Sequence, residues 1–264
     1  MYTGYETADN YKKTAEIKTS AKWYRTLILA ALAGMFIALA GALATVAGTA
    51  GEGMKATLIK AAVFPAGLIL VVLTGSELFT GNCLLLAPLL SKNIKITLTL
   101  KNLGIVYAGN LIGSVAVAIL TVYSGALDGA ANAIVLTAAY KCGMGFGTAL
   151  LRAVLCNVLV CFAVWCSLTS KSATGKILAV YPPIFAFVAL GAEHSVANMY
   201  YLSAGLLASA KYGIVADSLN VGNALLYSLL PTTIGNVIGG TVFAALPLWL
   251  AFFRNTDKND VSLR

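Results

Sequence analysis

Six stretches of this chain, at about residues 23–50, 61–90, 103–123, 146–168, 177–207 and 224–253, are each apolar over about 20 residues or more, and charges fall almost entirely outside them. A helix needs about that many apolar residues to cross the hydrocarbon core of a bilayer. Of the 18 basic and 10 acidic residues, eight lie within residues 1–26 and five within 254–264, which leaves 15 for the 227 residues between. Charged residues make up 11% of the chain, against about 25% in a soluble domain. This excludes a soluble enzyme, a disordered chain and a nucleic-acid binder, whose basic surface has to be continuous. The first stretch is entered through Trp23 and Tyr24, side chains suited to a membrane interface. A signal peptide would have a shorter apolar core, about 7–15 residues, without a long polar lead.

Six crossings put both termini on one side. Lys12, Lys13, Lys18, Lys22, Arg25, Lys92, Lys95, Lys101, Lys171, Lys176, Arg254, Lys258 and Arg264 fall on that side, and Lys55, Lys60, Lys141 and Lys211 on the other. The bias predicts cytoplasmic termini and a multi-pass protein of the inner (plasma) membrane. Arg152, near the outer end of the fourth stretch, stands apart from both groups. The expected layout is one all-α membrane domain: a helical cytoplasmic segment at 1–22, half-repeats at 23–126 and 127–253, and a cytoplasmic tail at 254–264.

The second and fifth stretches carry matching interruptions. One reads Gly-Ser-Glu-Leu-Phe-Thr-Gly-Asn from Gly75 to Asn82, the other Gly-Ala-Glu-His-Ser-Val-Ala-Asn from Gly191 to Asn198. Phe64-Pro65 and Tyr181-Pro182-Pro183 precede them as aromatic-proline helix starts, and Gly109-Asn110-Leu111-Ile112-Gly113 and Gly235-Asn236-Val237-Ile238-Gly239 follow. Three matches in one order make two halves of three crossings each, and an odd number inverts the second half. Paired broken helices in an inverted repeat point to a transport path at the midplane. The Gly-Asn-x-Ile-Gly segments are expected to serve close helix packing. Glu77 and Glu193, with Asn82 and Asn198, are expected to support the breaks, the carboxylates accepting bonds from the freed backbone N–H groups.

His194 is the single histidine, and an ionisable side chain in a membrane break is a functional candidate. The repeat sets Thr80 opposite it, and a histidine facing a hydroxyl across a path can donate to, or exchange a proton with, a small passing anion. Phe64, Leu68, Leu78 and Phe187 are candidates for closing the path on either side. Cys83, Cys142, Cys156, Cys161 and Cys166 show no metal-ligand spacing and read as small apolar residues, so neither metal nor cofactor is expected. The absence of HExxH, GxSxG and a phosphate loop leaves no enzyme reading.

Leu-Phe-Thr-Gly-Asn at 78–82, Cys-Asn-Val-Leu-Val-Cys at 156–161 with Ala163-Val164-Trp165, and Glu-His-Ser-Val-Ala-Asn-Met at 193–199 resemble the signatures of the formate/nitrite transporter family. The resemblance implies an aquaporin-like homopentamer in which each protomer passes small monovalent anions through its own pore. It implies that His194 is the central pore histidine, Thr80 its partner in the first break, Asn157 a polar partner in span four, Phe64, Leu68, Leu78 and Phe187 the constrictions, and Lys141 an outer vestibule lysine. The expected substrates are formate or nitrite and protons. Alternatives are a hydrosulfide channel of the same family and, from another class, an aquaporin-like neutral-solute channel, which lacks support because no Asn-Pro-Ala pair is present. A bare anion in an apolar constriction costs about 3 to over 10 kcal/mol. Protonating an acid of pKa near 4 at neutral pH costs roughly 4 kcal/mol. Transit as the neutral acid therefore competes, with outer positive charge at Lys141 and Arg152 concentrating the anion.

Overall fold

The computed structural model describes residues 1–254, and over these it is all helical. The helices are α1 (Gly4–Ser20), α2 (Trp23–Gly48), α3 (Gly53–Thr74), α4 (Phe79–Leu90), α5 (Ile96–Tyr123), α6 (Ala131–Cys142), α7 (Phe146–Thr169), α8 (Ala173–Ala189), α9 (Ser195–Tyr212) and α10 (Val221–Phe253). Five of them, α2, α3, α5, α7 and α10, are long and apolar enough to cross a membrane. The stretch expected at 177–207 is split at its expected interruption into α8 and α9, of 17 and 18 residues. The stretch expected from 61 begins at Gly53, and of the two aromatic-proline pairs only Phe64-Pro65 starts a helical segment, Pro65–Thr74. Pro65 lies within the kinked α3, where Phe64 itself is helical, and Pro182-Pro183 lie inside α8. The cytoplasmic tail expected at 254–264 falls outside the described residues after Arg254.

The segment 1–22 is helical, as the sequence suggested. Thr3 accepts from the Glu6 N–H and Glu6 in turn accepts from the Thr3 N–H, a capping box that starts α1. Helix α6 was not anticipated, because its 12 residues are too few for a crossing. Its buried Ala131, Ile134, Val135, Ala138 and Cys142 nevertheless follow helical spacing and pack toward α9.

Small residues set the closest approaches. A Cβ at Gly113 would overlap the Ala31 carbonyl of α2, and a Cβ at Gly239 would overlap the Val154 carbonyl of α7. Such backbone-to-backbone contact substitutes for a hydrophobic driving force that lipid does not provide. The packing role expected for the two Gly-Asn-x-Ile-Gly segments therefore holds for their glycines. In α10, Pro231 and Pro247 lack an N–H and crowd the carbonyl four residues back. The helix widens to π turns over Ala224–Leu229 and Thr241–Ala245, just before each proline.

Candidate functional site

Both breaks open at a glycine with left-handed backbone, φ 68° at Gly75 and 64° at Gly191, a conformation that side chains resist. The chain then runs extended through Leu78 and His194 before a new helix begins at Phe79 or Ser195. The freed backbone groups are satisfied in parallel ways. Glu77 N–H donates to Leu29 O and Glu193 N–H to Arg152 O. Asn110 Oδ1 accepts from the Phe79 N–H at 2.9 Å while its Nδ2 donates to the Glu77 and Ala30 carbonyls. Asn236 does the same for the Ser195 N–H at 2.8 Å and for the Glu193 and Ala153 carbonyls.

This corrects one expectation. The carboxylates of Glu77 and Glu193 do not cap the broken backbone; the asparagines of the Gly-Asn-x-Ile-Gly segments do. An amide carries an acceptor and two donors, so one side chain serves both an N–H and a C=O, whereas a carboxylate only accepts. Each glutamate is held instead by side chains. Glu77 accepts from Asn82 Nδ2 at 2.6 Å and Lys18 Nζ at 3.0 Å, and Glu193 from Asn198 Nδ2 at 2.7 Å and Lys141 Nζ at 2.8 Å. Asn82 and Asn198 thus lie beside the breaks as expected, bonded to the carboxylates. Lys18 also donates to Asn82 Oδ1, and Asn102 Nδ2 donates to the Lys18 carbonyl, so the end of α1 is fastened against the first break.

The two breaks meet at Thr80 and His194, both buried, with Thr80 Oγ1 2.9 Å from His194 Nε2. The Ala197 N–H points at Nδ1 from 3.1 Å, so that nitrogen presents its lone pair and the proton of the neutral ring sits on Nε2, facing Thr80. His194 borders a small apolar slit lined by Phe64, Leu68, Leu78 and Phe187 with Ile37, Val160 and Ile184, and Thr80 reaches it through the bond to the imidazole. The rings of Phe64 and Phe187 pack edge to face with centroids 5.4 Å apart. On the α6 side a cavity of about 680 Å³ reaches Phe64, Phe187 and His194, and on the α1 side one of about 270 Å³ reaches Leu68, Leu78 and Asn82.

The structure brings the candidate residues together around this slit and its mouths, except Thr80, which joins through His194, and Asn157. Asn157 is buried behind Thr80 and donates to the Thr80 and Asn236 carbonyls at 3.2 and 2.6 Å, so its amide is committed to backbone rather than to the slit. Lys141 lines the larger cavity, but its ammonium contacts both Glu193 carboxylate oxygens, so much of its charge is neutralised locally. Sequence reasoning missed Asn110, Asn236 and Tyr140. The first two left a readable signal, an amide at matching positions of otherwise apolar helices. Cys83, Cys142, Cys156 and Cys161 are buried free thiols and Cys166 is an exposed one, with no cluster of metal ligands among the described residues.

The family model described as formate/nitrite transporter matches residues 5–250. The chain is 38% identical over 272 residues to the probable formate transporter of Methanothermobacter thermautotrophicus, covering 94% of this chain and 96% of that one. It is 42% identical to the uncharacterized transporter YrhG of Bacillus subtilis, covering 86% and 85%, and 34% identical to the formate channel FocA of Escherichia coli K12, covering 89% of each. Among solved structures, an FNT family ion channel superposes with TM-score 0.82 at 30% identity, covering 93% of this chain and 96% of that one. A pentameric formate channel with formate bound superposes with TM-score 0.77, also at 30% identity, covering 87% and 97%. With its membrane-length helices, this chain is a multi-pass membrane protein that belongs to the formate/nitrite transporter family.

Proposed function

We propose that the chain is a passive or proton-linked channel for small monovalent anions of weak acids, with formate or nitrite as the main cargo. In this reading it has six crossings in a 3+3 inverted repeat, with halves at 23–126 and 127–253, cytoplasmic termini in the plasma membrane, and a homopentameric assembly with one pore per protomer. The observation that carries the reading is the Thr80–His194 hydrogen bond at the edge of an apolar slit between two cavities that each carry charged side chains in their walls. The paired bonds of Asn110 and Asn236 support the repeat, and the likeness to a pentameric formate channel supports the assembly and cargo.

In this mechanism the N-termini of α4 and α9 bring partial positive charge to the slit, which favours an approaching anion. The anion takes up a proton in the vestibule water and enters as the neutral acid, because the phenylalanine and leucine side chains offer a charge nothing in return for its water. Thr80 and the His194 Nε2–H hydrogen-bond it in passage. Losing that ring proton would leave an imidazolate, so the histidine orients the cargo and the travelling proton comes from solvent. Phe64 and Phe187 form one constriction and Leu68 and Leu78 the other, while Asn157 and Lys141 act indirectly, holding the Thr80 backbone and Glu193.

The test is flux of formate, nitrite and hydrosulfide into liposomes carrying the purified protein, over mildly acidic to mildly alkaline pH. Flux should rise as external pH falls, with anion and proton moving together, and His194→Ala should lower flux at every pH while leaving that dependence in place, because solvent supplies the proton. A full electrical current per anion, indifferent to a proton gradient, would refute transit as the neutral acid.

A further inference from the structure

The cavity on the α6 side holds a cation, Arg152, to which the channel reading, on which this inference rests, gives no more than a general pull on anions. Lys60, Lys141 and Arg152 line it, with Glu193 as their carboxylate neighbour. Lys141 is bound to that carboxylate, and its side chain is 11% exposed. Arg152 and Lys60 have no carboxylate within 4.0 Å among the described residues.

Arg152 is also oriented. Its Nη1 donates to the Tyr140 hydroxyl of α6 at 2.8 Å, while its own carbonyl accepts the Glu193 N–H, tying its backbone to the break that carries His194. Gly191 lies alongside, where a Cβ would be 3.9 Å from Nη1, so no side chain from the break covers the guanidinium there. A guanidinium has five N–H donors in one plane, matching the two oxygens of a carboxylate or nitrite in parallel bonds. One donor is spent on Tyr140 and the rest stay available. An ammonium such as Lys60 attracts any anion but does not match that shape.

We propose that Arg152, set by Tyr140, is an anion-docking residue of this vestibule that grips planar two-oxygen anions and so biases the channel toward carboxylates and nitrite over an anion with a single acceptor atom such as hydrosulfide. Arg152 contacts the anion, and Tyr140 is a positioning residue.

The experiment compares the concentration dependence of formate, nitrite and hydrosulfide flux through wild type, Arg152→Lys and Tyr140→Phe in liposomes. Arg152→Lys keeps the charge and removes the fork. Its half-saturation concentrations for formate and nitrite should rise about tenfold, the equivalent of one charge-assisted hydrogen bond, with hydrosulfide flux and all maximal rates near wild type. Tyr140→Phe should shift formate and nitrite in the same direction by less. Unchanged maximal rates exclude misfolding as the cause. A wild-type half-saturation for formate in Arg152→Lys, or an equal shift for formate and hydrosulfide, would overturn the proposal and leave the channel reading standing. A wild-type protein that passes none of the three anions would overturn both.

Discussion

Replacing Asn236 by alanine tests how the second break is held together. The side chain makes three buried bonds, to the Ser195 N–H, the Glu193 carbonyl and the Ala153 carbonyl. The Ala153 carbonyl lies inside α7 and keeps its helical partner, so its loss is small. The Ser195 N–H opens α9 and the Glu193 carbonyl lies in the break, so both are orphaned. A buried polar group without a partner costs about 1–3 kcal/mol, which puts Asn236→Ala at about 2–6 kcal/mol. The assay is hydrogen exchange, read by mass spectrometry on peptides spanning residues 193–198 of the protein in lipid nanodiscs. Opening of the break should become roughly 30-fold more frequent or more, the equivalent of the lower bound of about 2 kcal/mol. The first break, held by Asn110, should exchange as before, and Asn110→Ala should give the converse pattern. Unchanged protection at 193–198 in Asn236→Ala would refute the assignment of the cap to this side chain and return that role to Glu193.

Gly239→Ala should separate α10 from α7, since its methyl group would overlap the Val154 carbonyl. Overpacking of this kind costs about 1–3 kcal/mol, so thermal unfolding in detergent should occur at lower temperature, whereas Gly129→Ala, where the added carbon meets nothing within 4 Å, should not shift it. The Tyr212 hydroxyl donates to Asp128 and, with Lys211 nearby, holds its carboxyl below the ordinary carboxylate value. A carboxyl depressed on folding stabilises above its unfolded pKa and loses that contribution as pH falls through the folded value. Limited proteolysis of the 124–130 loop should therefore accelerate as pH falls below about 4 in the wild type. In Asp128→Asn it should be fast at neutral pH already.

Particular residues show how far the sequence was legible. His194 and Thr80 were set opposite each other from the repeat, because each lies in one of its two matching breaks, and the structure sets them in hydrogen-bond contact. The division of labour between Glu193 and Asn236 was not legible, since 43 residues separate the Asn236 amide from the Glu193 carbonyl it serves. Charge was similarly ambiguous. Lys141 and Arg152 read alike as outer cations, yet one is bound to a carboxylate and the other to a phenol.

Hydropathy and the internal repeat, both local properties of the chain, already implied an all-helical membrane protein with matched breaks and named the side chains between them. A bilayer imposes that much on any sequence, because backbone polar groups in hydrocarbon must be satisfied within helices or by a dedicated partner. Which side chains became those partners was decided in three dimensions. Asn110 and Asn236 reach the broken strands only because glycines at 113 and 239 let α5 and α10 lie against the backbones of α2 and α7. Hydrogen bonds depend on distances of a few tenths of an ångström, and packing between helices distant in sequence sets those distances.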